Sequence, residues 1–200
     1  MPAPDVRALL TAALARRGRD TSDHDLNPGI ALPAGRILRP AGVLVGIQQT
    51  AAGPALILTK RASHLKHHPG QIAFPGGKVD QGDADPTAAA LREAREEIGL
   101  TGDGVEVLGT LDPHETVTNF LVTPVLALVD PSFRPVAQED EVEEIFRVPF
   151  AHVADPDRFR TESRLWRGAR RHYFVLPYGP YYIWGATARI LKALADRMAE

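Results

Sequence analysis

The sequence predicts an α/β layered fold, because apolar strand-like segments alternate along the chain with amphipathic helical segments. The hydrophobic fraction of 44% and the charged fraction of 24% are typical of a globular protein with a sizeable core. A length of 200 residues lies within the range of a single domain. No apolar run approaches the roughly eighteen residues of a membrane-spanning helix, so a membrane fold is not predicted.

The predicted elements follow one another in a simple order. An amphipathic helix begins near Val6, which has Leu10 and Ala13 at helical spacing, and a polar connector covers residues 18–40. Helices are also predicted at 86–98 and 186–198. Apolar runs bounded by turn residues predict strands at 42–48, 55–59, 105–111, 122–129, 141–148 and 173–176.

The composition excludes several classes of site and partner. The formal net charge of −2 gives no electrostatic reason to expect binding to nucleic acid or to a membrane. The chain has no cysteine, which excludes disulfides, thiolate zinc sites and cysteine nucleophiles. In a signal peptide the basic residues precede the apolar stretch, whereas here arginines follow it. A signal peptide is therefore not predicted, and we expect a cytoplasmic location.

The helix predicted at 86–98 carries the strongest functional pattern. Glu93, Glu96 and Glu97 stand at positions i, i+3 and i+4 and therefore share one helix face. Clustered carboxylate oxygens suit hard cations such as Mg²⁺ or Mn²⁺. A solvated surface helix is the alternative interpretation, but a glycine turn and an apolar run directly precede this helix. We therefore interpret the three glutamates as a metal site.

The ends of this helix are also readable. Asp85 suits the N-cap position, and Pro86 suits the first helical position, where its missing N–H costs no hydrogen bond. Gly99 suits the position just after the last helical residue, which often adopts a left-handed conformation. These residues predict that the helix begins at 86 and ends at 98.

The stretch 76–100 resembles the Nudix box, whose second half reads Arg-Glu-apolar-any-Glu-Glu-any-Gly-apolar. The chain fills every fixed position of that half with Arg92, Glu93, Ala94, Glu96, Glu97, Gly99 and Leu100. The first half differs, because its acidic position holds Asp83 rather than Glu and the box is one residue longer. The role of Asp83 is thus open, whereas the spacing of the helical carboxylates is intact.

The segment just before the box indicates a particular subfamily. It is similar to the signature that precedes the box in coenzyme A pyrophosphatases, with Ile57-Leu58-Thr59-Lys60-Arg61-Ala62, Lys66, Gly70 and Phe74-Pro75-Gly76-Gly77. Ile57 replaces Leu, and Lys66 replaces Arg, which keeps the charge but loses the bidentate fork. Two adjoining motifs with fixed spacing form a specific signal.

This resemblance implies a Nudix-type α/β/α sandwich with a mixed sheet, organised as one domain over 1–200. Residues 1–40 would form an N-terminal helical extension and connector. The implied activity is hydrolysis of the pyrophosphate bond of coenzyme A, with acyl-CoA derivatives as further candidates, to 3′,5′-ADP and 4′-phosphopantetheine. Mg²⁺ or Mn²⁺ would be the cofactor.

The resemblance also implies residue roles. Glu93, Glu96 and Glu97 would bind the metal ions, and Arg92 would orient a glutamate. The substrate phosphates would be bound by Arg61, Lys66 and the backbone N–H groups of Gly76 and Gly77.

The general base is left open among Glu97, Glu93 and Glu141. Glu141 resembles a carboxylate that the subfamily recruits from outside the box, and its neighbours Glu143 and Glu144 compete for the same part.

Other features allow two interpretations each. The arginines of 158–171 could contact a 3′-phosphate, but we prefer a solvated hairpin or a dimer edge, with a homodimer as a candidate assembly. We interpret Trp184 as core, with a substrate-pocket wall as the alternative. Two other functions remain: hydrolysis of another nucleotide derivative (ADP-ribose, a dinucleotide or a damaged nucleoside triphosphate), and a catalytically silent nucleotide-binding regulator. The intact carboxylate cluster favours an enzyme, because a binding protein has no need of clustered like charges.

Overall fold

The computed structural model describes residues 5–30, 32, 35–66, 68–166 and 168–199. The helices are α1 (Val6–Ala15), α2 (Pro86–Ile98), α3 (Phe150–Val153) and α4 (Ala186–Ala199). The strands are β1 (Thr21–Ser22), β2 (Arg39–Thr50), β3 (Gly53–Arg61), β4 (Ile72–Ala73), β5 (Gly76–Lys78), β6 (Val105–Thr110), β7 (His114–Glu115), β8 (Phe120–Val129), β9 (Val142–Pro149), β10 (Arg160–Trp166), β11 (Ala169–Tyr178) and β12 (Tyr181–Trp184). Within these ranges, no helix is long and apolar enough to span a membrane.

The centre of the molecule is a mixed sheet built around the parallel pair β2 and β8. Antiparallel β3 lies on the other side of β2 and carries β9 and β4, while β5 pairs with the beginning of β2. Strands β6 and β7 extend the sheet beyond β8, and β1 adds to β7 in parallel. Strands β10, β11 and β12 form a separate antiparallel sheet.

The side chains of the central strands alternate between two apolar clusters, one on each face of the sheet. Leu44, Ile57 and Val125 lie on the face that α2 covers, against Ala94 and Ile98 of that helix. The other face lies under α1 and α4, which contribute buried side chains that include Leu10, Leu191 and Leu194. Helices thus cover both faces of the sheet, as the predicted α/β/α sandwich requires.

The predicted helix over 86–98 is confirmed at both ends. The Asp85 carboxylate accepts a hydrogen bond from the Ala88 N–H at 2.8 Å, and Pro86 occupies the first turn. Gly99 ends the helix with a φ of 73°, in the left-handed region that glycine adopts without a Cβ penalty. The end signals were readable because each acts within one turn of the helix.

The six predicted strands are present, with boundaries shifted by a few residues. The largest shift is at the segment predicted as 173–176, where β11 runs over Ala169–Tyr178 and pairs with β10. The arginine-rich segment 158–171 therefore forms a hairpin, the interpretation we preferred, although Arg167 lies outside the described residues. Strand β10 is not among the predicted strands, because most of its residues are polar and give no apolar signal.

We propose that 1–200 form one domain. The support is that α1, which precedes the connector, and α4, which ends the chain, share one apolar cluster with the central sheet.

Candidate active site

The beginning of α2 lies close to β2, where the two backbones approach each other. A Cβ atom added at Gly42 of β2 would collide with the backbone oxygen of Pro86, so a glycine is needed where the helix begins. Strand β5 pairs with the same part of β2, in the register Gly42 to Gly77. The two glycines that follow Phe74-Pro75 therefore lie beside the glutamates of α2.

Glu97 is the most buried of the three box glutamates, with 4% of its surface exposed. Its carboxylate accepts a hydrogen bond from the Gly76 N–H at 3.1 Å. Burial is the main cause that raises the pKa of Glu97 to about 8, and the nearby charges of Glu93 and Glu141 add to the rise. The hydrogen bond from Gly76 and the charge of Arg61 partly offset it. A cation at this position would compensate a negative charge that the fold otherwise disfavours.

Glu93 lies one turn before Glu97 and is half-buried. Burial raises the pKa of its carboxyl group, whereas a 2.9 Å ion pair with Arg92 opposes this rise. A Cβ atom at Gly77 would collide with the Glu93 carboxylate. Gly77 thus leaves room for that carboxylate beside β5.

Glu141 completes the cluster from outside the box. One carboxylate oxygen from each of Glu93, Glu97 and Glu141 lies within 4.8 Å of the others. Glu141 is exposed and directly precedes β9, and its backbone oxygen accepts a hydrogen bond from the Ala62 N–H at 2.9 Å. This backbone contact places its side chain opposite the helix.

The two competitors of Glu141 are engaged elsewhere. Glu143 pairs with Lys60 at 2.6 Å and accepts hydrogen bonds from Ser63, and these contacts lower its pKa to about 2. Glu144 accepts a hydrogen bond from the Tyr181 hydroxyl. Of the three acids, Glu141 is therefore the one that the structure brings to the box.

Arg92 links the glycine-rich loop to the helix. Its guanidinium donates to both oxygens of Asp83, at 3.0 Å each, and to Glu93 and Glu96 at 2.9 and 3.0 Å. The side chain of Asp83 is only 6% exposed, and the pair lowers the pKa of Asp83 and raises that of Arg92. The structure thus gives Asp83 a part that the sequence left open, which is to anchor Arg92.

Glu96 is not among the three clustered acids, because its side chain is 53% exposed and pairs with Arg92. Its part as a metal ligand stays a prediction. The Gly76 N–H is occupied by Glu97, and phosphate binding by Gly76 and Gly77 stays a prediction as well.

The two predicted basic residues lie in different positions. Arg61 ends β3, and its positive charge partly offsets the rise in the pKa of the Glu97 carboxyl group that burial causes. Lys66 is exposed in the loop that follows β3. Of the two, Arg61 is the one that the structure brings to the carboxylate cluster.

The donor set fits a hard divalent cation. The cluster offers only carboxylate oxygens, which Mg²⁺ and Mn²⁺ prefer, and its residues come from two separate places in the chain, α2 and the residue just before β9. Three acids within 4.8 Å repel one another in the absence of a cation. The residues present are therefore suited to hold the ion that the sequence predicts.

The family model described as NUDIX domain matches residues 38–167, which include this cluster. The chain belongs to the Nudix family. The relative named "Uncharacterized Nudix hydrolase NudL" from Enterobacter sp. (strain 638) is 39% identical over 183 residues, or 86% of this chain and 95% of the relative. The protein of the same name from Salmonella paratyphi B is 43% identical over 157 residues, or 78% of this chain and 81% of the relative.

A solved structure shows the same fold. The MutT protein from Methanosarcina mazei Go1 has a TM-score of 0.52 and 17% identity, over 84% of this chain and 99% of that chain. The predicted Nudix-type fold is confirmed. Family membership makes the chain a Nudix hydrolase, and Nudix hydrolases use divalent metal ions.

Glu141 and Glu143 of this Nudix domain offer a matched pair for a test. We expect Glu141→Gln to lower kcat/KM at least about tenfold, because loss even of a group that supports a metal ligand costs that much. Glu143→Gln removes the same charge two residues away, but from an ion pair with Lys60. Steady-state kinetics of both variants at saturating Mg²⁺ would check this, and equal losses in the two would remove Glu141 from the site.

Proposed function

We propose that this protein hydrolyses the pyrophosphate bond of coenzyme A in a reaction that depends on Mg²⁺ or Mn²⁺. Water attacks one phosphorus atom, the P–O bond to the bridging oxygen breaks, and the products are 3′,5′-ADP and 4′-phosphopantetheine. The proposal includes a cytoplasmic location and a homodimer as the candidate assembly. Acyl-CoA derivatives are further candidate substrates.

The observation that carries the proposal is the signature between 57 and 77. Its residues form β3, the loop, β4 and β5, and this unit ends at the carboxylate cluster through the Gly76–Glu97 hydrogen bond. The segment that distinguishes the subfamily is therefore in direct contact with the segment that carries the chemistry of the whole family. A substrate diphosphate at the cluster would lie beside both.

The chain offers a division of roles. Glu93 and Glu97 would hold the metal ions with Glu96, and a bound ion supplies neutralisation of the charge on the diphosphate oxygens. Arg92 holds Glu93 in place and is itself held by Asp83. Glu141, Glu93 and Glu97 are the candidates to accept the proton of the attacking water, since each has an oxygen in the cluster. Arg61 and Lys66 would bind phosphate oxygens.

The alternatives are a Nudix hydrolase for another nucleoside diphosphate derivative and a catalytically silent regulator. The cluster serves any diphosphate, so only the signature between 57 and 77 favours coenzyme A. The burial of Glu97 among other acids argues against a silent binder, which has no need of this arrangement.

Product analysis tests the proposal. The purified protein is incubated with coenzyme A, 3′-dephospho-coenzyme A and ADP-ribose, each with Mg²⁺, Mn²⁺ or a chelator. We expect metal-dependent release of 3′,5′-ADP, with coenzyme A the fastest substrate. Cleavage of ADP-ribose alone would overturn the choice of substrate but leave the metal helix. Binding of a substrate without any cleavage would favour the regulator.

A further inference from the structure

A small pocket lies between the N-terminal connector and the three-stranded sheet. Arg164, Arg171, Tyr173 and Trp184 form its sheet side. Its volume of about 90 Å³ is well below the roughly 300–1,000 Å³ of sites that enclose a whole ligand. The pocket therefore suits one small group of a larger molecule. Trp184, which the sequence suggested as core, is half-buried and lines this pocket.

Two positive charges face each other at this pocket. Arg164 of β10 and Arg171 of β11 are direct partners in the antiparallel register, so their side chains leave the sheet on the same face. Both guanidinium groups would attract an anion placed between them.

One of these arginines is held in a geometry that suits an anion. The Arg164 guanidinium lies 4.4 Å from the centre of the Trp184 ring and 5.9 Å from that of Tyr173. A guanidinium stacked on aromatic rings keeps its N–H donors in its own plane, where they can bind two phosphate oxygens. Trp184 is thus a positioning residue for Arg164.

The acid in the pocket wall is already engaged. One oxygen of Asp23 is hydrogen-bonded to His114 at 3.2 Å, and the other accepts from the Val117 N–H at 3.0 Å. Asn27 binds both backbone groups of His172, at 2.8 and 2.9 Å, and fixes the connector against β11. The connector therefore forms a fixed wall whose carboxylate is occupied by donors of its own.

A short segment of chain, from Gln71 to Gly76, connects the rim of the pocket with the carboxylate cluster. A Cβ atom at the rim residue Gly185 would contact the side-chain nitrogen of Gln71 at 3.9 Å. Gln71 accepts a hydrogen bond from the Arg61 N–H and stands five residues before Gly76, which donates to Glu97. Five extended residues span at most about 17 Å, which sets an upper limit on the separation between the backbones of Gln71 and Gly76.

We propose that this pocket binds the ribose 3′-phosphate of the nucleotide whose diphosphate lies at the carboxylate cluster, with Arg164 and Arg171 as its ligands. This inference rests on the proposed function. Most of the lining lies outside the 38–167 match, including Asp23, Arg171 and Trp184. The pocket is therefore built by segments that flank the shared catalytic unit, as a device that determines specificity would be.

The test compares coenzyme A with 3′-dephospho-coenzyme A in Arg164→Gln and Arg171→Gln. We expect the ratio of the two kcat/KM values to fall about tenfold or more, because each substitution removes a charge-assisted hydrogen bond. The fall should come mainly from a higher KM for coenzyme A. The matched control is Arg170→Gln, because Arg170 neighbours Arg171 but bonds Ser163 and lies outside the lining.

Each outcome decides a different question. An unchanged ratio in both variants would overturn the 3′-phosphate pocket and leave the hydrolase function standing. Absence of cleavage of either substrate by the unmodified protein would overturn the proposed function and the pocket with it. Calorimetry with 3′,5′-ADP and 5′-ADP gives a second measurement, in which folded variants should lose the preference for 3′,5′-ADP that the unmodified protein shows.

Discussion

Replacing Glu97 by glutamine is expected to lower kcat about 10²–10⁴-fold, the range for loss of an acid–base group, while the protein still folds. The amide keeps an oxygen that can accept the Gly76 hydrogen bond, and it removes the cost of burying a charge. The melting temperature of the metal-free variant should therefore equal or exceed that of the unmodified protein. Single-turnover kinetics and thermal unfolding would measure the two effects.

Glu139→Gln is the matched control for this experiment, because Glu139 is an exposed acid near Glu141 that is not part of the cluster. Nearly normal turnover in Glu97→Gln would remove Glu97 from the mechanism. Loss of turnover together with a lower melting temperature would indicate a structural role instead.

Addition of Mg²⁺ or Mn²⁺ is expected to stabilise the unmodified protein. An ion at a hundred times its Kd adds about 2.7 kcal/mol to the free energy of unfolding. For a chain of this size that corresponds to a rise in the melting temperature of about 5–10 °C. The physical reason is that Glu93, Glu97 and Glu141 repel one another until a cation lies between them.

The effect should depend on pH in a defined direction. The pKa of Glu97 is about 8 in the folded protein, above its ordinary value of 4.5, so the metal-free folded state binds more protons than the unfolded state between these values. Metal-free stability should therefore fall as pH rises from about 5 to 8. The ion competes with the Glu97 proton, so stabilisation by metal should be larger at pH 8.5 than at pH 6.

Differential scanning calorimetry of the unmodified protein and of Glu97→Gln, each with metal or chelator, would test this prediction. The same melting-temperature rise in both proteins would place the ion elsewhere. A rise that is independent of pH would contradict the part assigned to Glu97.

The box helix could be predicted from the sequence because its determinants are local. The N-cap at Asp85, the proline at 86 and the glycine at 99 each act within one turn. The shared face of the glutamates follows from helical geometry alone. The central strands were predicted for a similar reason, since apolar runs buried on both faces give a strong signal.

The resemblance favours Glu141, but the local pattern of residues does not separate it from Glu143 and Glu144, because the choice depends on how β9 pairs with β3. The register shifts between Lys60 and Arg61, so that Lys60 pairs with Glu144 but Arg61 pairs with Val142. The irregularity turns Glu143 toward Lys60 and leaves Glu141 facing the helix. Pairing between residues more than 80 positions apart leaves no trace in the local pattern of either strand.

Because of the ion pair between Asp83 and Arg92, the length of the chain before the box helix does not determine the geometry of the site. The extra residue lies between Asp83 and Arg92, and the side chains of these two residues are joined by the ion pair, so it changes only the path of the chain between two fixed points. The positions of Glu93 and Glu97 follow from the helix and its contact with β2, and the loop does not alter them. A box with one extra residue can therefore keep the same carboxylate arrangement, and this part of the chain can vary in length without a matching change in the site.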